Sequence, residues 1–252
     1  MIICKSAAEI DKLRRSGQIV RTILEEVREK IEPGITTLDL EAYAENRIRQ
    51  LGAKPAFKGY RGYPCCLCAS VNEGIVHGIP SERILKSGDI ISLDLGVIVD
   101  GYYGDSAVTV PVGEISGPLK RLLRITEESL ALGIERVRAG NRLGDVSETV
   151  QRHAEGAGYS VVREFVGHGI GRELHEEPQV PNFGKAGHGP LLKEGMVLAI
   201  EPMINEGSPE VRVLGDHWTA VTLDGTYSAH FEHMVAVTRN GPDVLTQIPE
   251  RR

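Results

Sequence analysis

The sequence predicts an α+β fold made of two similar halves, a curved, antiparallel-rich sheet covered on its outside by helices. Three observations lead there. Each half opens with apolar residues at helical spacing and continues with runs of strands, the ordering of an α+β chain. Three segments recur in the same order: residues 29–40 at 135–146, residues 71–79 at 162–170, and residues 85–94 at 192–201. No low-complexity stretch or linker divides the 252 residues. Two copies are too few for a solenoid. The expectation is one domain, residues 1–252, internally duplicated at about 5–112 and 116–240, with its halves facing each other across a pseudo-two-fold axis.

The first helix is read from Ile10, Leu13, Gly17, Val20, Leu24, Val27 and Ile31, which recur every three or four residues, with Gly34 expected to stop it. A second follows from the Thr36-x-x-Asp39 capping pattern, with Leu40, Tyr43, Ala44, Ile48 and Leu51 on one face. Strands are expected at 90–95, 97–100 and 106–110. The second half repeats the order: Leu119, Leu122, Leu123, Leu130, Ile134 and Val137 mark a helix stopped by Gly140, and another helix follows. Strands then come at 197–200, 211–214, 219–221 and 234–238.

Composition narrows the function. Hydrophobic residues are 41% of the chain, enough for a sizeable core, and Lys plus Arg total 29 against 35 Asp plus Glu, a net charge of −6. That balance disfavours a nucleic acid held by bulk charge. No apolar run exceeds five residues, against the ~20 that cross a bilayer. The first residues lack a secretory pattern, so a cytoplasmic protein with no membrane partner is expected. Cys4, Cys65, Cys66 and Cys68 read as reduced, packed thiols, since zinc would want further ligands at workable spacing. Glycine, 29 of 252, exceeds the average of roughly 7%, and it concentrates where the chain turns sharply or approaches a ligand.

Acids within apolar strands are costly unless paired or bound to a cation. Asp94 sits in Ile-Ile-Ser-Leu-Asp-Leu-Gly, Asp105 follows a Gly-rich turn, and Glu201 and Glu232 lie in Ala-Ile-Glu-Pro-Met and His-Phe-Glu-His-Met. Four such carboxylates with the imidazole of His168 suit two divalent ions. The repeat puts acids and histidines at corresponding positions of both halves, which a pseudo-two-fold fold would bring together.

The His77-Gly-Ile-Pro, Asp94 and Asp105 motifs, Gly167-His168-Gly-Ile-Gly through His175-Glu-Glu-Pro, Ile200-Glu201-Pro-Met and Phe231-Glu232-His-Met together resemble the type I methionine aminopeptidases, bacterial in type. The likeness spans residues 5–245. It implies the "pita-bread" fold and removal of the N-terminal methionine from nascent chains with a small second residue. Two divalent ions, Fe(II), Mn(II), Co(II) or Zn(II), would be held by Asp94, Asp105, His168, Glu201 and Glu232, with Asp105 and Glu232 bridging. By the same resemblance a metal-bridging hydroxide attacks the first peptide carbonyl, Glu201 is the general base, His175 stabilises the oxyanion and His77 positions the amide. Tyr60, Tyr63, Cys68, Leu174 and Trp218 would line the methionine pocket, with Leu174 standing where many relatives carry an aromatic residue. Asn72, Gly74 and Ser228 fall where relatives bind a monovalent cation. A monomer in transient proximity to the ribosome is the implied setting.

His153, His188, His217, His230 and His233 are expected in hydrogen-bonded structural roles. Two other functions stand beside the main one. A prolidase or proline-specific aminopeptidase shares the fold but usually carries an additional N-terminal domain, whereas here the first helix begins within ten residues. A catalytically inactive peptide-binding module typically loses ligands, and all five positions are filled here.

Overall fold

The first apolar stripe forms α1 (Ala7–Arg28), which buries Leu13, Gly17, Val20, Ile23, Leu24 and Val27 against the sheet side. In this computed structural model, which describes residues 1–247, α2 (Thr37–Gln50) follows. It begins as expected: Thr36 accepts from the Asp39 N–H, and the Asp39 carboxylate accepts from the Thr36 N–H. Then come β1 (Lys54–Pro55), β2 (Leu67–Val71), β3 (Gly74–Val76), β4 (Ile90–Val99) and β5 (Tyr102–Pro111). The second half opens with α3 (Gly117–Glu135), α4 (Leu143–Gly156), β6 (Ser160–Val161), β7 (Gly167–Gly169) and β8 (Glu176–Val180). It closes with β9 (Val197–Ile200), β10 (Met203–Asn205), β11 (Val211–Val213), β12 (Ala220–Thr222), β13 (Ser228–His230), β14 (His233–Thr238) and β15 (Gly241–Val244). No helix is long and apolar enough to cross a membrane among the described residues.

The expected helix ends are corrected. α1 stops at Arg28 and α3 at Glu135, because their last turns tighten: Lys30 and Ile31 donate to Val27 and Arg28, and Arg136 and Val137 donate to Gly133 and Ile134. Ile31 and Val137 therefore lie beyond the helices. Gly34 and Gly140 instead occupy the turns that follow, at φ +105° and +95°. Each glycine donates its N–H to the counterpart strand lead-in, Gly34 to Leu85 O at 2.8 Å and Gly140 to Leu192 O at 3.0 Å. Leu85 and Leu192 are themselves repeat partners, so the duplication extends to individual hydrogen bonds.

All the strand pairings are antiparallel among the described residues. β4 and β5 pair from Ile90 opposite Pro111 to Val99 opposite Tyr102, through a two-residue Asp100-Gly101 loop with φ of +50° and +79°. β4 is continuous through Gly96, where two separate strands were expected. Ile91, Leu93, Leu95, Val97 and Val99 project to one face and pack into the core that contains the α1 and α2 stripes. Ser92, Asp94 and Gly96 therefore occupy the opposite face. β14 pairs with β9, and β9 with β7, in the second principal sheet, ordered β15-β14-β9-β7-β8. Three bonds tie it to β5: Glu232 N to Ala107 O at 2.9 Å, Ser106 Oγ to Glu232 O at 2.7 Å, and Asp105 N to Met234 Sδ at 3.2 Å.

Candidate metal centre and peptide pocket

Asp94 pairs across the ladder with Ala107, and Asp105 with Gly96. The two acids are thus diagonal neighbours on one face of the hairpin, within mutual side-chain reach. Cys68 on β2 lies opposite Asp94, on the same face. From the second half, His168 stands beside Ala199 on the neighbouring strand, while Glu201 follows β9 and Glu232 precedes β14 where those strands pair. Ligand atoms of Asp105, His168 and Glu232 all fall within 4.8 Å of one another. His168 Nε2 lies 3.5 Å from Glu201 Oε1 and 3.8 Å from Asp105 Oδ2.

The electrostatics are those of four buried acids crowded together with no compensating positive charge. Burial raises the Asp94 carboxyl to about 7 and the Glu201 carboxyl to about 8. Burial and repulsion from neighbouring acids hold Asp105 and Glu232 well above the carboxylate range. Asp94 Oδ1, Asp105 Oδ1 and Glu232 Oε1 are buried with no hydrogen-bond partner. Orphaned oxygens of this kind, with one imidazole, fit divalent cations with carboxylate preference. A second acidic group, Glu41 with Glu45 and Cys66, does not compare: both Glu41 oxygens are taken by the N–H groups of Cys66 and Leu67, and Glu45 pairs with Lys58.

Asp94, Asp105, His168, Glu201 and Glu232 line one cavity of about 310 Å3 together with His77, His175, Tyr60, Tyr63, Cys68, Leu174 and Trp218. Every predicted ligand, catalytic histidine and pocket residue thus reaches a shared space. The Tyr60 hydroxyl is 2.8 Å from His175 Nδ1, and the His175 ring lies 4.3 Å from that of His168, centroid to centroid. The Tyr63 hydroxyl contacts the carbonyls of Leu67 and Gly78 at 3.1 and 3.0 Å, and its ring meets Trp218 edge to face. His77 sits at φ +59°, fixed through the next residue, whose N–H donates to Ser70 Oγ and whose carbonyl accepts from Ala69. Burial lowers His77 to about 4 and His168 to about 3, and also lowers His175, so all three are neutral near pH 7.

Asn72, Gly74 and Ser228 lie outside this cavity; the Ser228 N–H donates to Asn72 O at 2.9 Å, while Asn72 Oδ1 accepts from Ile90. Among the remaining histidines, His153 bonds Glu128, His188 bonds Ala186 O and His233 bonds Thr246 Oγ1. His230 departs from the expected pattern, since neither ring nitrogen has a partner. Phe57, Arg61, Glu164, Phe165 and Val166 also line the cavity and were not singled out by the sequence. Phe165 meets the His77 ring edge to face, a contact between residues far apart in the chain that periodicity cannot reveal.

The model of metallopeptidase family M24 matches residues 11–239. "Methionine aminopeptidase 1" of Bacillus subtilis is 52% identical over 248 residues, covering 98% of this chain and 100% of that protein. The crystal structure of methionine aminopeptidase from Thermotoga maritima superposes with a TM-score of 0.97 at 48% identity, covering 98% of this chain and 100% of that one. An Xaa-Pro dipeptidase from Bacillus anthracis aligns with a TM-score of 0.77 at 25% identity, and the alignment covers 63% of its chain. The duplicated pita-bread fold, the buried carboxylate cluster and the extent of these matches lead to one assignment: the chain belongs to metallopeptidase family M24.

Proposed function

We propose that the protein is a metal-dependent methionyl aminopeptidase, removing the N-terminal methionine from nascent proteins and peptides whose second residue is small. The observation that carries this reading is the single cavity in which five potential metal ligands meet a wall of Tyr60, Tyr63, Cys68, Leu174 and Trp218. Methionine is unbranched and polarizable, and aromatic rings with a thiol suit its thioether. Relatives of that name at about half identity support the same substrate.

Asp94, Asp105, His168, Glu201 and Glu232 would hold the divalent ions, which when bound supply an acidified water and positive charge for the substrate's carbonyl and amino groups. Fe(II), Mn(II), Co(II) and Zn(II) all suit this donor set. Glu201 would take up the proton released by the attacking water. His175 would donate to the carbonyl oxygen as charge develops there; a Tyr60 hydroxyl donating to Nδ1 leaves the ring proton on Nε2 for that purpose. His77, neutral and fixed in backbone, would orient the scissile amide. Asn72, Gly74 and Ser228 would form a monovalent-cation site beside the sheet. On this reading the protein is a cytoplasmic monomer, and a nascent-chain substrate implies proximity to the ribosome.

Cleavage of Met-Ala-Ser and Ala-Pro peptides with Fe(II), Mn(II) or Co(II) tests the reading. Methionine release from the first is expected, and turnover of the second alone would overturn it. Asp105→Asn should abolish turnover and lower metal occupancy, and full activity in that variant would remove the proposed centre.

A further inference from the structure

His230 combines a rigid backbone with an unpartnered side chain. The Thr109 hydroxyl donates to the His230 carbonyl at 2.8 Å and accepts the His230 N–H at 2.8 Å. With its one proton so used, Thr109 takes the hydroxyl proton of Ser92, 2.8 Å away. On the other side of the strand, His230 pairs with Met203 of β10. The imidazole is therefore presented to one place, fully buried, with both nitrogens lacking hydrogen-bond partners. A neutral ring has one N–H to place, and leaving it unpaired in the interior is costly. His230 Nε2 stands 3.6 Å from Glu201 Oε2, while His168 Nε2 approaches the other oxygen of the same carboxylate at 3.5 Å.

We propose that His230 is a positioning residue for Glu201: its Nε2–H donates to Oε2 and fixes the orientation of that carboxylate toward the ions and the attacked peptide. This rests on the reading of Glu201 as ligand and proton acceptor. Partners of this kind orient ligands and raise metal affinity without touching the metal. The motion required is small, a closure of a few tenths of an ångström to reach the outer range of a hydrogen bond.

The chemistry offers a matched pair of variants. A Gln amide nitrogen can reach the position of Nε2, whereas the shorter Asn amide cannot. Calorimetric titration of metal-free protein with Mn(II) should show His230→Asn weakened roughly 10–100-fold, with His230→Gln within about threefold of wild type. With Met-Ala-Ser, the Asn variant should lose kcat while KM stays within about twofold, as expected when an interaction specific to the transition state is removed. An Asn variant with wild-type Mn(II) affinity overturns the proposal. So does a Gln variant as weak as Asn, because an amide nitrogen replaces a donor but not a ring nitrogen bound to metal. Should the Asn variant fail to fold, His230→Leu, which also lacks a donor, takes its place. The titration uses no substrate, so it decides the role of His230 even if wild-type protein fails to release methionine, which would remove only the substrate reading.

Discussion

Stripping the metal should make the protein lose stability as pH rises from 6.5 to 8. Glu201 has a folded pKa of about 8 against 4.5 for the unconstrained group, so across this window it is protonated in the fold and ionised when unfolded. The folded state then binds more protons, and stability falls by about 1.4 kcal/mol per pH unit per group. For Glu201 alone this is about 2 kcal/mol over the window. Asp94, raised to about 7, contributes over the lower part, and Asp105 and Glu232 act in the same direction. Histidine works oppositely but mainly elsewhere. His77 and His233, lowered to about 4, and His168, lowered to about 3, cost stability mainly as pH drops below the unfolded value of 6.5. Above that value the unfolded groups finish deprotonating, so each histidine returns only about 0.4 kcal/mol over the first unit of the window, less than the carboxyl groups remove. At roughly 2–4 °C per kcal/mol for a chain of this size, the Glu201 share alone predicts a melting temperature lower by about 4 °C or more at pH 8. The assay is thermal melting of chelator-treated protein at pH 6.5, 7, 7.5 and 8, with and without Mn(II). Because binding needs ionised carboxylates, added Mn(II) should flatten or reverse the trend. A metal-free melting temperature that is level or rising across the window would refute the account of the cluster.

Two substitutions probe the walls of the cavity. Tyr60→Phe keeps the ring and removes the 2.8 Å contact with His175 Nδ1, so kcat for Met-Ala-Ser should fall about tenfold, the equivalent of one neutral hydrogen bond, with KM little changed. Steady-state kinetics check this, and an unaltered kcat would remove Tyr60 from the orientation of His175. Gly96→Ala places a methyl 2.5 Å from Phe57 Cε1 and 3.0 Å from Ala56 Cβ, forcing the Phe57 ring to move within the cavity it lines. KM should rise several-fold and stability drop by about 1–3 kcal/mol, the usual cost of overpacking; kinetics identical to wild type would show that Phe57 does not shape the substrate site.

The sequence was most informative where a single chemical type stood out from its surroundings. Asp94 is conspicuous within Ile-Ile-Ser-Leu-Asp-Leu because an acid there is costly, and three segments recurring in the same order point to two similar halves. The short strands β2, β3, β7, β10 and β13 left no such trace: their residues are buried on both faces, so period-two alternation is absent. His230 was likewise beyond reach, since Thr109 and Glu201, which define its surroundings, lie on other strands.

One determinant of the site is local to a single turn. Asp100-Gly101 is a favoured two-residue hairpin loop, and its positive φ values join β4 directly to β5. That loop sets Val99 against Tyr102, and the ladder then carries Asp94 opposite Ala107 and Asp105 opposite Gly96. A slip of one residue in β5 would turn Asp105 from the cavity to the helix-packed face, because side chains alternate. The convergence of these two carboxylates therefore depends on turn chemistry several residues away from either of them. Gly96 completes the arrangement on the same face, where the lack of a side chain admits the Phe57 ring. Residue types marked the candidate ligands, but the hairpin register is what makes two of them neighbours.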